Sequence, residues 1–132
     1  MKQDKNAKSG TPGGIRDSLK KATTEMMVLS LLKEKPMYTY EMMATIDART
    51  NGVITFNTLY QSIYRLENHE YIRQHGKLIS EDNRVRIFFA ITEAGEDYLE
   101  KITREYLTFT NSVDALLGLD RKEGLPWVSA IS

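Results

Sequence analysis

Residues 55–72 read TFNTLYQSIYRLENHEYI, and the organisation of the chain can be inferred outward from this segment. On an α-helix, four of its apolar residues share one stripe: Phe56, Leu59, Ile63 and Leu66. The opposite face is polar and carries Asn57, Gln61, Tyr64, Arg65 and Asn68. Amide, phenol and guanidinium groups can hydrogen-bond to base edges and phosphates in the major groove of DNA. For this helix alone, the alternative is an ordinary amphipathic helix whose polar face meets solvent.

Two helices are predicted before this segment. The first spans residues 15–34, is capped by Asp17 or Ser18, and is apolar on more than one side. Such a helix packs either against its own domain and a second subunit, or wholly within a small core. The second spans residues 39–49, has Thr39 as its N-cap, and ends at the glycine of residues 50–52. Its predicted inward side chains are Tyr40, Met43 and Ile46.

A β-hairpin is predicted after residue 72, because the apolar period changes from 3.6 to 2. In residues 84–91, RVRIFFAI, Val85 and Ile87 share one face while two arginines occupy the other. Residues 71–80 form the partner strand, with Gly76 at a bulge or bend, and residues 81–83 form the turn. The hairpin therefore exposes Arg84 and Arg86 beside its tip.

The last predicted helix spans residues 93–117, is capped by Thr92 and Glu93, and ends at Gly118. Its apolar residues are spaced 3, 4, 3, 4, 3, which is a heptad seam. The seam consists of Leu99, Ile102, Tyr106, Phe109, Val113 and Leu116. We favour contact between two subunits through this seam, and the alternative is packing against the helix's own domain.

Composition limits the remaining possibilities. The chain of 132 residues has no cysteine, which excludes disulfides and thiol catalysis, and no apolar run long enough to span a membrane. Its net charge is zero, but residues 1–21 hold six bases against two acids and residues 93–117 hold six acids against two bases. Phosphate contacts are therefore expected in the N-terminal and middle parts of the chain. The composition as a whole is compatible with a cytoplasmic protein, which is the location that we expect.

These elements predict a mostly α fold with a small β-hairpin (α+β), namely a winged helix-turn-helix domain plus a long C-terminal dimerisation helix. The predicted divisions are a flexible arm (1–14), ending at the TPGG of residues 11–14, the winged helix (15–92), the dimerisation helix (93–117) and a tail (118–132). In such domains the third helix enters the major groove and the wing lies over the backbone. The tail has no apolar period, so the sequence does not predict where Trp127 lies.

Several motifs in residues 19–100 resemble the PadR family of transcriptional regulators. The sequence YTYE at residues 38–41 resembles the YGYE element of that family, and TLY at 58–60 followed by LE at 66–67 resembles its recognition helix. Residues 84–95 are similar to its R-x-R-x-Y-Y wing followed by L-T-x-x-G. The departures are Gln61 for proline, Glu70 and Asn83 for glycines, and phenylalanines for the wing tyrosines. A glutamate in the left-handed region costs about 1 kcal/mol, so the third helix is expected to end differently here.

The resemblance implies a bacterial, homodimeric, repressor-like protein that binds an inverted-repeat operator in double-stranded DNA. Together with the helix and wing patterns, it gives these candidate DNA contacts: Tyr38, Asn57, Thr58, Tyr60, Gln61, Tyr64, Arg65, Lys77, Arg84 and Arg86. The family also often responds to small aromatic or amphipathic molecules. An effector would meet Met26, Met27, Tyr106 and Phe109 at the dimer interface, and the alternative is that these four residues are plain interface core.

Two other classes of function are weaker. An enzyme is not expected, because His69 and His75 have no carboxylate at metal-ligand spacing, and no phosphate loop or nucleophile motif is present. No cofactor or metal is expected for the same reasons. A winged-helix module that binds protein rather than DNA is the stronger rival, because residues 55–92 hold five bases against four acids.

Overall fold

The computed structural model describes residues 9–123, so residues 1–8 of the predicted arm, and Trp127 in the tail, lie outside the described part. The chain forms two units, one ending at Leu99 and the other beginning at Glu100. The elements are α1 (Pro12–Glu34), β1 (Met37–Tyr38), α2 (Thr39–Arg49), α3 (Tyr60–Asn68), β2 (Ile72–Ile79), β3 (Val85–Ile91) and α4 (Glu93–Leu117), then one short 3-10 turn, Arg121–Glu123. The predicted α+β fold class is confirmed. No helix within residues 9–123 has the length and apolar character needed to cross a membrane.

Helix α1 begins at Pro12 rather than at Ile15. The Thr11 hydroxyl oxygen accepts a hydrogen bond of 3.1 Å from the Gly14 amide and so caps the helix. Threonine at the N-cap followed by proline is a favourable start, because proline has no amide hydrogen to leave unsatisfied. The predictions that residues 11–14 precede the helix, and that Asp17 or Ser18 caps it, are therefore wrong.

Helix α2 has the predicted bounds, and of its three predicted inward side chains Ile46 is buried, Met43 is half-buried and only Tyr40 is exposed. Its N-cap residue is Tyr38 rather than Thr39, and no side chain caps it. Met42 and Ile46 are buried, whereas Tyr40 is exposed. Met42 and Ile46 are four residues apart, so they share one face of the helix just as the predicted residues do. Burying Met42 removes no polar group from water, whereas exposure of Tyr40 keeps its hydroxyl group in water.

Helices α2, α3 and α4 each end in a left-handed residue. Asn51 after α2 and Gly118 after α4 have positive φ, and Glu70 after α3 has φ 62°. The Tyr71 amide donates to the Leu66 carbonyl over 2.9 Å, as in a Schellman motif. The expectation that α3 ends differently because Glu70 replaces glycine is wrong. The Glu70 carbonyl also accepts a 2.7 Å hydrogen bond from the Thr92 hydroxyl, which helps to hold this conformation.

The sheet is antiparallel and has three strands in the order β1-β3-β2, rather than the two strands predicted. Strand β1 places Met37 opposite Phe89. A strand of two residues carries no alternation, which is why the sequence pattern missed it. The register of β2 against β3 shifts between Gln74 and Gly76, which confirms the predicted irregularity there.

The hydrophobic core of the first unit is built from α1, α2, α3 and the sheet, which contributes Met37, Ile72, Phe89 and Ala90, and it is completed by Leu99 of α4. Of the predicted stripe on the third helix, Leu59, Ile63 and Leu66 are buried. The largest fully buried side chains are Val28, Leu29, Met37, Met42, Leu59 and Leu66. Packing of these buried side chains holds α3 against α1, and the remaining face of α3 is exposed.

Helix α4 begins as predicted, because the Thr92 hydroxyl oxygen accepts a 3.0 Å hydrogen bond from the Gly95 amide. The residues of the predicted seam differ in burial. Leu99 is buried in the first unit and Ile102 is half-buried. The remaining four are exposed in the single chain: Tyr106, Phe109, Val113 and Leu116.

Candidate nucleic-acid interface

The outer face of α3 carries the predicted polar and aromatic side chains. Tyr60 is 78% exposed, and Tyr64 is 63% exposed one turn later. Gln61, Arg65 and Asn68 also lie on the surface. The face is rich in hydrogen-bonding groups with little net charge, and such groups suit contacts with the edges of bases.

Asn57 and Thr58 lie before the helix, not on it, because α3 begins at Tyr60 rather than Thr55. The Thr58 hydroxyl oxygen accepts a 3.1 Å hydrogen bond from the Tyr60 amide. This contact satisfies one of the amides that a helix start leaves without an intrahelical partner, and so it favours a start there. The predicted face that joined Asn57, Gln61 and Arg65 at helical spacing is therefore wrong for Asn57.

Arg65 is held by a residue that sequence reasoning missed. Its Nε donates to the Glu25 carboxylate on α1 over 2.8 Å, and one Nη lies 3.4 Å from the Ser62 hydroxyl. The Arg65 side chain remains 51% exposed. Glu25 is 40 residues away in sequence, so no local pattern connects the two.

The two wing arginines have different environments. The Arg84 side chain is 74% exposed, as predicted, whereas that of Arg86 is only 24% exposed. The Arg86 guanidinium lies 5.1 Å from the centre of the Tyr38 ring, a cation–π contact, which explains why it is more covered than predicted. The Tyr38 ring in turn meets Phe88 edge-on at 5.2 Å.

An acidic residue at the tip of the wing, Asp82, partly offsets the positive charge of both arginines. Asp82 lies 3.4 Å from Arg84 and 3.8 Å from Arg86. The Ser80 hydroxyl donates a hydrogen bond to Asp82, and this bond, aided by the two arginines, lowers the pKa of the carboxyl. Asp82 is therefore charged at neutral pH, and the wing is less positive than its arginines alone indicate.

A groove of about 510 Å³ separates α3 from the wing. Four tyrosines line it, three of them predicted contacts and the fourth Tyr40, which the sequence placed inward. They are Tyr38, Tyr40, Tyr60 and Tyr64. Arg86 and Glu67 supply opposite charges within the same groove, and Lys77 lies exposed on β2 opposite Ile87. The groove thus brings together four of the predicted contacts, namely Tyr38, Tyr60, Tyr64 and Arg86.

The four predicted effector residues do not all belong to one unit. Met26 and Met27 are half-buried on α1 in the first unit. Tyr106 and Phe109 are exposed on the part of α4 that lies in the second unit. Of the two histidines, His69 stacks on Tyr71 with ring centres 5.5 Å apart, which is a packing role.

The helices, the hairpin that follows α3, and the face they form define a winged helix-turn-helix protein. The model of the PadR-like family of transcriptional regulators matches residues 28–101, and the chain belongs to this family. The family predicted from the sequence motifs is therefore confirmed. Because the family is one of transcriptional regulators, catalysis is not the function that membership indicates.

Several known proteins resemble the chain along most of its length. An uncharacterized protein of Lysinibacillus sphaericus is 28% identical over 105 residues, which are 78% of this chain and 95% of that protein. The structure of a transcriptional regulator from Clostridium thermocellum is 25% identical, with a TM-score of 0.67, and the match covers 74% of this chain and 96% of that one. A PadR-like transcriptional regulator from Bacillus cereus shares the fold, with a TM-score of 0.64 at 18% identity over 78% of this chain and 99% of that one.

Proposed function

We propose that the protein is a sequence-specific, DNA-binding transcriptional repressor that binds an inverted-repeat operator as a homodimer in the cytoplasm. The observation that carries this proposal is the exposed face of α3, where Tyr60, Gln61 and Tyr64 stand beside an arginine-bearing wing. Membership in a family of transcriptional regulators supports the same function.

We divide the candidate contacts by the kind of DNA group that each of them suits. Gln61 lies in the first turn of α3, the part of a recognition helix that usually faces base edges, and its amide can pair with adenine through two hydrogen bonds. Asn57 and Thr58, in the loop before the helix, are proposed to contact the backbone or a flanking base. Arg84 and Lys77 on the wing are proposed to contact phosphates.

The test is a selection from random duplexes, followed by binding of Gln61→Ala to the selected site. A homodimer predicts an inverted repeat whose half-site centres lie about one helical turn, or a multiple of it, apart. Gln61→Ala is expected to cost about 1–3 kcal/mol on that site and much less on random DNA.

Asn68→Ala provides the matched control, because it removes an exposed amide from the last turn of the same helix. It is expected to bind the selected site nearly as tightly as the wild type. If no inverted repeat emerges, or if Gln61→Ala binds the selected site as tightly as Asn68→Ala and the wild type do, the face of α3 is not the reader of sequence.

The wing is expected to contribute affinity without sequence preference. Arg84→Ala should weaken binding to all duplexes alike and flatten the slope of log affinity against log salt by about one unit for each phosphate that the wing no longer neutralises. Arg86→Ala should have the same signature, with a further weakening because its contact with Tyr38 is removed.

Arg104→Ala controls for the loss of one positive charge, because Arg104 pairs with Glu100 on α4 and is not among the proposed DNA contacts. It should leave the salt slope close to that of the wild type. A loss of sequence preference at an unchanged salt slope would instead assign the wing arginines to base readout.

A protein-binding winged-helix module is the second candidate function. It is favoured by the acids on the candidate face, since Asp82 lies beside both wing arginines and Glu67 lines the groove. Failure of the duplex selection would make this candidate the better one.

We also propose that a small aromatic or amphipathic effector releases the protein from DNA. This proposal is based only on the chemical character of four side chains: Met26, Met27, Tyr106 and Phe109.

A further inference from the structure

Helix α1 contacts the recognition segment (residues 55–65) at both of its ends. At the first end, the Lys20 Nζ donates to the Thr55 carbonyl over 2.8 Å and lies 5.0 Å from the centre of the Phe56 ring. At the second end, the Glu25 carboxylate accepts from the Arg65 Nε over 2.8 Å. Phe56 directly precedes Asn57, and Arg65 lies one turn after Gln61, so the two contacts enclose the residues that we assign to recognition.

The recognition segment depends on contacts of this kind. Residues 53–59 have no regular secondary structure, and α3 is only nine residues long. A short helix gains little stability from its own hydrogen bonds, so its position is set by packing and by side-chain contacts. Leu59, Ile63 and Leu66 anchor the inner face, but apolar packing alone is non-directional and tolerates small rotations.

The Glu25 contact also fixes which part of Arg65 is free. The Nε and one Nη of the guanidinium point to Glu25 and Ser62, and the side chain is still about half exposed. These two contacts restrict the orientation of the guanidinium and leave its remaining N–H groups without a contact named here, in a side chain that is half exposed. Fixing a long, flexible side chain before binding lowers the entropy that must be lost when it contacts DNA.

We propose that Lys20 and Glu25 are positioning residues for DNA recognition, which hold residues 55–65 in the orientation that distinguishes the operator from other DNA. The proposal rests on the DNA-binding function proposed above. Neither residue needs to touch DNA. Each acts through the segment it holds, Lys20 through the loop before α3 and Glu25 through Arg65.

The charge of Glu25 gives the proposal a distinctive signature. Removing a carboxylate makes the protein more positive, which strengthens binding to any duplex through counterion release. Loss of positioning weakens binding to the selected site only. Glu25→Ala should therefore lower the ratio of specific to random-duplex affinity by about five- to tenfold, while random-duplex binding is unchanged or tighter.

Glu34→Ala is the matched control for Glu25→Ala. It removes the same charge from the same helix, but Glu34 pairs with Arg49 of α2 rather than with the recognition segment. Both variants should shift random-duplex binding alike, and only Glu25→Ala should lower the ratio. If Glu25→Ala proves unfolded by circular dichroism, Glu25→Gln, which keeps the shape of the side chain, is measured in its place.

A double-mutant cycle then tests whether Glu25 acts through Arg65. In an Arg65→Ala background, Glu25→Ala should cause no further loss of the affinity ratio. For the other end of the segment, Lys20→Met should lower the ratio, whereas Lys21→Met, which removes the same charge from an exposed neighbour, should not.

The outcomes separate this proposal from the function on which it rests. If the wild type selects no duplex, the proposed function fails and the positioning role fails with it. If the wild type selects an operator but the Glu25 and Glu34 variants lower the ratio equally, only the positioning role of Glu25 is overturned. An undiminished loss in the Arg65→Ala background overturns its action through Arg65.

Discussion

Replacing Gly95 with alanine is expected to destabilise the first unit by about 3–5 kcal/mol, a large fraction of the roughly 5–15 kcal/mol by which folded domains are usually stable. A Cβ at position 95 would overlap the backbone carbonyl oxygen of Tyr71 and lie 2.9 Å from Cγ1 of Ile91. The Tyr71 carbonyl cannot move freely, because it accepts a 3.0 Å hydrogen bond from the Thr92 amide. Alanine would therefore force the start of α4 away from Tyr71, which directly precedes β2. Urea unfolding of both proteins at one fixed concentration measures the difference.

Gly76→Ala is the control for this prediction. Gly76 follows the irregularity in β2, and an added Cβ there meets no atom within 4 Å. It should leave the free energy of unfolding within about 1 kcal/mol of the wild type. A Gly95→Ala protein as stable as Gly76→Ala would show that the start of α4 is free to shift, and would refute this account of the packing.

Gly95 also illustrates what the sequence could predict. The T-x-x-G motif at residues 92–95 is one of the motifs on which the resemblance to the PadR family rests. The fold supplies its physical cause, since Thr92 caps α4 and Gly95 permits the close approach to Tyr71. Local signals of this kind, including the glycine after α4 and the alternation of β3, depend on neighbouring residues and are readable from the chain.

The features that the sequence missed depend on residues far apart or on very short elements. The pairing of Arg65 with Glu25 spans 40 residues, and β1 contains only two. The sequence pattern starts α3 too early because Phe56 continues its apolar period, whereas Phe56 lies in the loop before α3, with its ring 5.0 Å from the Lys20 Nζ on α1. In each case the local sequence allows more than one conformation, and a contact with a distant part of the chain determines which one forms.

The candidate face has a near-neutral charge because its arginines are paired with acidic residues. Glu25 forms an ion pair with Arg65, and Asp82 lies within 4 Å of both Arg84 and Arg86. Each acid offsets part of the attraction of its arginine for phosphate while restricting where the guanidinium points. A face arranged in this way is expected to gain less from counterion release, and more from orientation, than a uniformly basic one.

The exposed seam of α4 leads to the prediction with the largest expected effect on DNA binding. Phe109 is 61% exposed and Leu116 is 85% exposed in the single chain, and they lie one heptad apart. Large apolar side chains at heptad spacing gain free energy by packing against another helix. We therefore expect the seam to hold the proposed homodimer together, as the 3-4-3-4-3 spacing predicts.

The double variant Phe109→Glu, Leu116→Glu is expected to be monomeric and to bind the selected inverted repeat about a hundredfold more weakly, or worse, because one half-site no longer assists the other. Four carboxylates per dimer would have to lose water in the seam, which is unfavourable without partners. The change should not unfold the protomer, since both side chains are already exposed.

Asn111→Glu is the control, because position 111 lies about 200° around the helix from Phe109 and should leave the dimer intact. Sedimentation velocity at micromolar concentration measures the oligomeric state, and gel shifts measure binding. A wild-type monomer, or a double variant that still sediments as a dimer, would show that the seam is not the dimer interface.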